Sequence, residues 1–187
     1  MNSEIKKAID TLKSGGVILF PADTGWGLGC DATNQPAIDR LFRIFPDRML
    51  QDYVILLNNP ALLERYVKEV PEVAWDLVDL SDTALTIIFS GSKNLPTTLL
   101  GEGDQIRIRI IKDEYTQLLL QQLRRPIVYT PVEIHYNEYL SSSDDIPEQL
   151  VQQVDHMCLS AANKLYHSRP TAVIQLWPDG RINIITK

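Results

Sequence analysis

The stretch FPADTGWGLGCDATN, residues 20–34, gathers three glycines, a proline, two aspartates and two threonines into fifteen positions at the end of the apolar run GVILF (16–20). Small residues after a buried strand let backbone amides approach a ligand, with Asp23 as an acceptor, Thr24 as a hydroxyl and Trp26 as an aromatic wall. The glycines are spaced GxGxG rather than GxGxxG, and no Walker A lysine follows, so neither nucleotide fingerprint is met. The same glycines suit tight turns or a bulge between two strands equally well. On residue pattern alone both readings stand.

Outward from this stretch, helical and strand patterns alternate. Ser3 caps an amphipathic helix over residues 3–14, with Ile5, Ala8, Ile9 and Leu12 on one face and Gly15-Gly16 at its end. GVILF reads as a buried strand that Pro21 is expected to stop. Asn34 caps a helix running to Phe45 that carries Ala37, Ile38, Leu41 and Phe42 on one side. DYVILL (52–57) and ALTIIF (84–89) read as strands, NNP (58–60) opens a short helix, and PEVAWDLVDL (71–80) reads as a longer one. QIRIRII (105–111) alternates so that Arg107 and Arg109 share one strand face. EYTQLLLQQLRR (114–125) and IPEQLVQQV (146–154) have helical patterns around the strand PIVYT (126–130), and TAVIQLWPDGRINIIT (171–186) is a hairpin about PDG. The fold class is therefore α/β: one domain over residues 1–187, a twisted mixed sheet flanked by helices, with ligands expected at strand ends.

Composition narrows the functional classes. The 187 residues are 44% hydrophobic and 22% charged, with a net charge of −6, which excludes coating of DNA by bulk positive charge. Any RNA contact must be local. The N-terminus MNSEIKKAID lacks the apolar core of a signal peptide and no long apolar run occurs, so a cytoplasmic protein without membrane contact is expected. Cys30 and Cys158 have no CxxC spacing and read as buried, reduced thiols. His135, His156 and His167 occur singly, without metal-ligand spacing, so no metal site is assigned. No GxSxG elbow makes Ser90 or Ser160 a nucleophile. Glu133, His135 and Tyr136 form a polar cluster that reads as an exposed loop.

The whole word PADTGWGLGCDATN resembles the signature of the YrdC-like family, in which a strand leads into P-T-D-T-x-[YW]-G-L-G and then D-A-T-N. The helix before Gly15-Gly16, NPALLERYV, the IRIRI strand, the strand ending at Thr130 and RPTAVIQL follow in the family's order. The resemblance implies the YrdC-like fold and a nucleotidyltransferase-type enzyme. Such an enzyme, threonylcarbamoyl-AMP synthase, joins L-threonine, bicarbonate and ATP, carried with Mg²⁺, into threonylcarbamoyl-AMP and pyrophosphate for the threonylcarbamoyladenosine modification of tRNA. It also implies substrate or nucleotide contacts at Thr24, Arg109, Thr130 and Thr171, with Arg48 as a displaced cation. No catalytic residue is assigned.

Departures from the family cluster in its motifs. Where it has Lys-x-Arg, this chain reads Phe45-Pro46-Asp47, with Arg43 and Arg48 on either side; the next basic position falls on Gln51. Thr-Ser-Ala-Asn becomes Thr130-Pro131-Val132-Glu133, and the first threonine of the signature is Ala22. A like-charge pair about 4 Å apart costs on the order of 1 kcal/mol in water and about 4 kcal/mol at an effective dielectric near 20. Each lost charge-assisted contact adds roughly 1.5–3 kcal/mol. The sum passes the roughly 5.5 kcal/mol that equals a 10⁴-fold change in affinity. Weak or absent adenylate formation is expected. Two alternatives are a non-catalytic relative binding double-stranded RNA or tRNA through Arg107, Arg109, Lys112, Arg124 and Arg125, and a fold retained with an altered pocket and no chemistry.

Overall fold

The computed structural model describes residues 2–135, 138–139, 142–159 and 171–186. Its strands are β1 (Ile18–Ala22), β2 (Gly25–Asp31), β3 (Val54–Leu57), β4 (Leu85–Phe89), β5 (Ile106–Ile110), β6 (Ile127–Pro131), β7 (Glu133–His135), β8 (Glu138–Tyr139), β9 (His156–Met157), β10 (Ala172–Leu176) and β11 (Ile182–Thr186). The helices are α1 (Asn2–Lys13), α2 (Gln35–Ile44), α3 (Leu63–Tyr66), α4 (Val73–Leu80), α5 (Glu114–Leu123) and α6 (Glu148–Val151). Nine strands form one mixed sheet in the order β11-β10-β4-β5-β3-β6-β2-β1-β9, and β7 pairs with β8 apart from it. The α/β expectation holds.

Local chemistry accounts for the element ends. The Asn34 side chain accepts from the Ala37 amide at 3.2 Å, satisfying one of the donors that α2 leaves open, and Pro36 sits in the first turn where no amide is needed. Asp113 does the same for α5 by accepting from the Thr116 amide at 2.9 Å. The terminal hairpin forms as its PDG turn predicts, with β10 and β11 antiparallel.

Two expectations change and one open reading closes. Pro21 does not end β1; it pairs with Trp26 inside the β1–β2 ladder. The carbonyl of Leu19 accepts from Cys158 at 2.9 Å, so alternate residues of β1 turn their backbone groups toward β9, and Pro21 falls on that side. There β9 has already ended, at Met157 opposite Leu19, and among the described residues no ladder partner calls for the donor that Pro21 lacks. Second, the glycine-rich residues 25–31, open to reading either as a ligand-approaching segment or as turns or a bulge between strands, form a fully buried strand. Third, IPEQLVQQV is helical only over α6, because the chain then bends to let the Asp155 amide reach the Val17 carbonyl at 2.8 Å and its carboxylate take the Val17 amide at 2.8 Å.

The core lies on both faces of the sheet. On one face α2 and α4 pack Ala37, Ile38, Leu41, Ala74 and Val78 against Leu28, Ile55, Ile87, Ile108 and Val128. On the other, α1 and α5 seal Ile18, Phe20, Val54, Leu56, Ile127 and Tyr129, and this apolar cluster includes no residue of β4, β5 or β10. The glycines of the opening stretch serve that seal. A Cβ on Gly27 would stand 2.3 Å from the Tyr129 ring, and one on Gly29 would stand 2.8 Å from both Ile127 and Phe20. Close strand approach, not ligand approach, selects these two glycines.

Candidate active site

The half of the second face that α1 and α5 leave open is where polar side chains converge. Alternation along β5 sends Ile106 and Ile108 into the α2/α4 core and turns Arg107 and Arg109 to the opposite side, as the sequence pattern predicts. Arg109 is level with Thr86 of β4. Its Nε and Nη2 each donate to Thr86 Oγ1 at 3.1 Å, while Nη1 donates to Asp23 Oδ1 at 2.9 Å and to Thr24 Oγ1 at 3.3 Å. Asp23 and Thr24 form the tight connection between β1 and β2, where Ala22 pairs with Gly25 and Gly25 takes a φ of 125° that side chains rarely allow. Tyr129 closes the floor by donating its hydroxyl to the Gly25 carbonyl at 2.9 Å. Burial pushes the Tyr129 phenol well above its ordinary range, against smaller opposing pulls from Thr24 and Arg109.

Beside this cluster opens a cavity of about 140 Å³, lined by Asp52, Thr86, Arg107, Arg109, Pro131 and Thr171 among others. A second hollow of about 110 Å³ shares Gln51, Tyr53 and Arg107 with it and extends past Leu99 and Gln105 at the start of β5. The two cations of the cleft differ in their commitments. The Arg109–Asp23 pair is 7% and 15% exposed, and the guanidinium is bonded on three sides. Arg107 has no hydrogen-bond or ion-pair partner among the described residues; burial lowers its pKa, with the charge of Asp52 opposing. Arg107 is the cleft residue that sequence reasoning left off its site. The signal was present in the shared strand face, but its weight depends on Asp23 engaging Arg109.

Of the residues singled out by resemblance, Thr24, Arg109 and Thr171 come together in the cleft. Thr130 and Arg48 do not join them. Thr130 is fully buried, donates to the Asp52 carbonyl at 2.9 Å and accepts from Arg48 Nη1. The Arg48 guanidinium also lies 4.2 Å from the centre of the Phe45 ring, so it serves the wall behind the cleft. Arg43 and Asp47 are exposed. The side chains of Glu133 and His135, and residues Tyr136, Ser160 and His167 as a whole, lie outside the described residues. Among the described residues no three His, Cys, Asp or Glu side chains gather as a metal site, and no helix is long and apolar enough to cross a membrane. Both cysteines are free and buried, as expected.

The basic residues considered for RNA do not form one surface. Lys112 donates to the carbonyls of Val78 and Ser81 at the end of α4, and Arg125 pairs with the fully buried Asp31 at 2.7 Å. Arg107 and Arg109 stand in the cleft, while Arg124 and Arg125 border a different cavity.

Known proteins match this geometry over almost the whole chain. The Sua5/YciO/YrdC family model, described as telomere recombination, matches residues 10–187. A threonylcarbamoyl-AMP synthase from Pseudoalteromonas translucida is 29% identical over 157 residues, covering 82% of this chain and 84% of that protein. The uncharacterized protein YciO of Escherichia coli is 30% identical over 181 residues, covering 94% of this chain and 84% of YciO. Its crystal structure superimposes with a TM-score of 0.85 at 26% identity, over 100% of this chain and 90% of that one. P. abyssi Sua5 complexed with L-threonine shares the fold with a TM-score of 0.82 at 23% identity; the match covers 92% of this chain and 50% of Sua5.

Proposed function

Because the chain belongs to the Sua5/YciO/YrdC family, we propose that its cleft takes the substrates of a threonylcarbamoyl-AMP synthase, L-threonine first among them, and forms the adenylate weakly or not at all. One observation carries both halves of this reading. Arg109, in the position that resemblance marks for substrate, is already neutralised by Asp23 at 2.9 Å, which leaves Arg107 as the cation without a fixed partner. A single carboxylate matches a single uncommitted guanidinium in a cavity that Thr171 also lines. A triphosphate does not.

Adenylate formation requires more. The threonine amine adds to bicarbonate and water leaves to give a carbamate. A carbamate oxygen then attacks the α-phosphorus of ATP, and the bond to the β-phosphate oxygen breaks to release pyrophosphate. Negative charge develops on the phosphoryl oxygens, and catalysis depends on cations and donors fixed around them. Magnesium, arriving on the nucleotide's phosphates, would supply part of that charge. The chain's own share is small: Phe45, Pro46 and Asp47 occupy the place of Lys-x-Arg, and Arg48 is bound to Thr130. The threonine complex of P. abyssi Sua5 supports the amino-acid half of the reading, and a cytoplasmic setting, where ATP and tRNA occur, accords with it.

Isothermal titration with L-threonine, followed by ATP and bicarbonate with pyrophosphate detection, tests both halves. We expect saturable threonine binding with little pyrophosphate. Absence of threonine binding would remove the substrate reading, and tight ATP binding with sustained pyrophosphate release would remove the attenuation.

A further inference from the structure

A cavity of about 280 Å³, larger than the cleft's 140 Å³, lies apart from the cleft. It lies at the opposite end of β3 and β6, past Leu57 and before Ile127, and its polar lining includes Arg65, Arg124, Arg125, Asn58, Asn59 and Gln121. Arg125 is answered by Asp31, whose other carboxylate oxygen accepts from the Thr33 amide and hydroxyl at 2.8 and 2.6 Å. Arg65 and Arg124 have no acidic partner among the described residues. Asn59 uses its oxygen to accept from the Ala61 amide at 2.9 Å, which leaves its NH₂ group as a donor. The floor is different in kind: Tyr66 is 4% exposed, and Leu62 and Leu120 flank it.

Arg124 carries a second observation. It follows α5 with φ 59° and ψ 26°, a left-handed conformation in which glycine is strongly favoured and a long side chain is not. A positive charge at a helix C-terminus is favourable through the helix dipole, but that benefit is available from the last turn of α5, where no basic residue occurs. The chain instead holds its arginine at the strained position on the cavity rim. Strain at a ligand-facing residue is a recognised mark of function.

We propose that this cavity is a second binding site, for a small phosphate monoester such as a nucleoside monophosphate. The phosphate would accept from Arg65, Arg124 and Asn59, and the body of the ligand would cover Tyr66 and Leu62. The volume approaches the roughly 300 Å³ at which small-ligand pockets begin. An acidic chain disfavours an extended polyanion here, whereas a single phosphate needs only the local excess of two guanidinium groups.

The test uses the full chain, with AMP, inorganic phosphate and a short single-stranded RNA titrated separately and followed by amide NMR shifts and calorimetry. AMP is expected to move the amides of Asn58, Asn59 and Gln121, inorganic phosphate to move them more weakly, and RNA to compete no better than AMP. Arg124→Gly and Arg65→Ala should each weaken AMP binding about tenfold or more. Arg124→Gly should also melt at or above the wild-type temperature, because it relieves the left-handed backbone. The proposal is overturned if AMP leaves these amides unmoved or shifts those of Thr24 and Thr171 instead, or if RNA alone binds. It is equally overturned if Arg124→Gly binds AMP as wild type does while melting lower, the result that a purely structural arginine would give.

Discussion

One face of the sheet has two halves with opposite solutions to the same problem. Over β1, β2, β6 and β3, helices α1 and α5 exclude water, and the backbone has surrendered side chains at Gly27 and Gly29 so that Tyr129, Ile127 and Phe20 can close the gap. Over β5, β4 and β10 that apolar layer stops, and the strand face carries Arg107, Arg109 and Thr86. The boundary between them is the Asp23–Thr24 connection, which bonds to Arg109 on one side and, through Gly25, to Tyr129 on the other. The site is placed by where the helical cover ends.

The hardest blow to this division is Gly27→Ala. Its new methyl would collide with a fully buried ring between two backbone ladders, so we expect a loss of about 3 kcal/mol, read as a shift in the denaturant midpoint. A tolerated alanine would mean that the sealed half is looser than its geometry. Next in size is Asp23→Asn, which removes the countercharge of a mostly buried guanidinium. Stability should fall by about 1–2 kcal/mol, discounted because the amide oxygen can still accept from Arg109. Affinity for pyrophosphate should meanwhile rise about tenfold as Arg109 becomes available. Unchanged anion affinity would show that Asp23 is not what keeps polyphosphate out.

Arg107→Gln sharpens the other side. Burial already disfavours this charge, so stability should change by less than about 0.5 kcal/mol. Threonine affinity should fall about tenfold by calorimetry; equal affinity would return the carboxylate to Arg109. The smallest effect concerns Cys158, within the sealed half, whose thiol burial pushes up to about 12 from an ordinary 9.0. The raised value means that the neutral thiol stabilises the fold. That contribution is complete below pH 9 and is lost as pH climbs toward 12. Native protein at pH 8 should therefore leave a thiol reagent unreacted until denaturant is added.

Much of this was legible from local pattern. The alternation in IRIRI gives both the buried face and the shared direction of the arginines, and Asn34 with Pro36 gives the start of α2, because helix caps and strand faces are decided within a few residues. The glycines were ambiguous for the opposite reason: the ring that requires Gly27 belongs to Tyr129, and nothing near residue 27 announces it. The same distance hides the commitments of the cations. Arg109 meets Asp23 across 86 positions and Arg48 meets Thr130 across 82, so a reading of motifs recovers the residues but not which of them are already engaged.

Pro21 has an effect on assembly as well as on the fold. Its ring nitrogen offers nothing to a chain approaching the outer flank of β1 beyond Met157, so the parallel ladder cannot be lengthened by another rung in that direction. A parallel strand prolonged past Met157 would find the donor row interrupted at Pro21, whose carbonyl already accepts from the Thr116 hydroxyl at 3.4 Å.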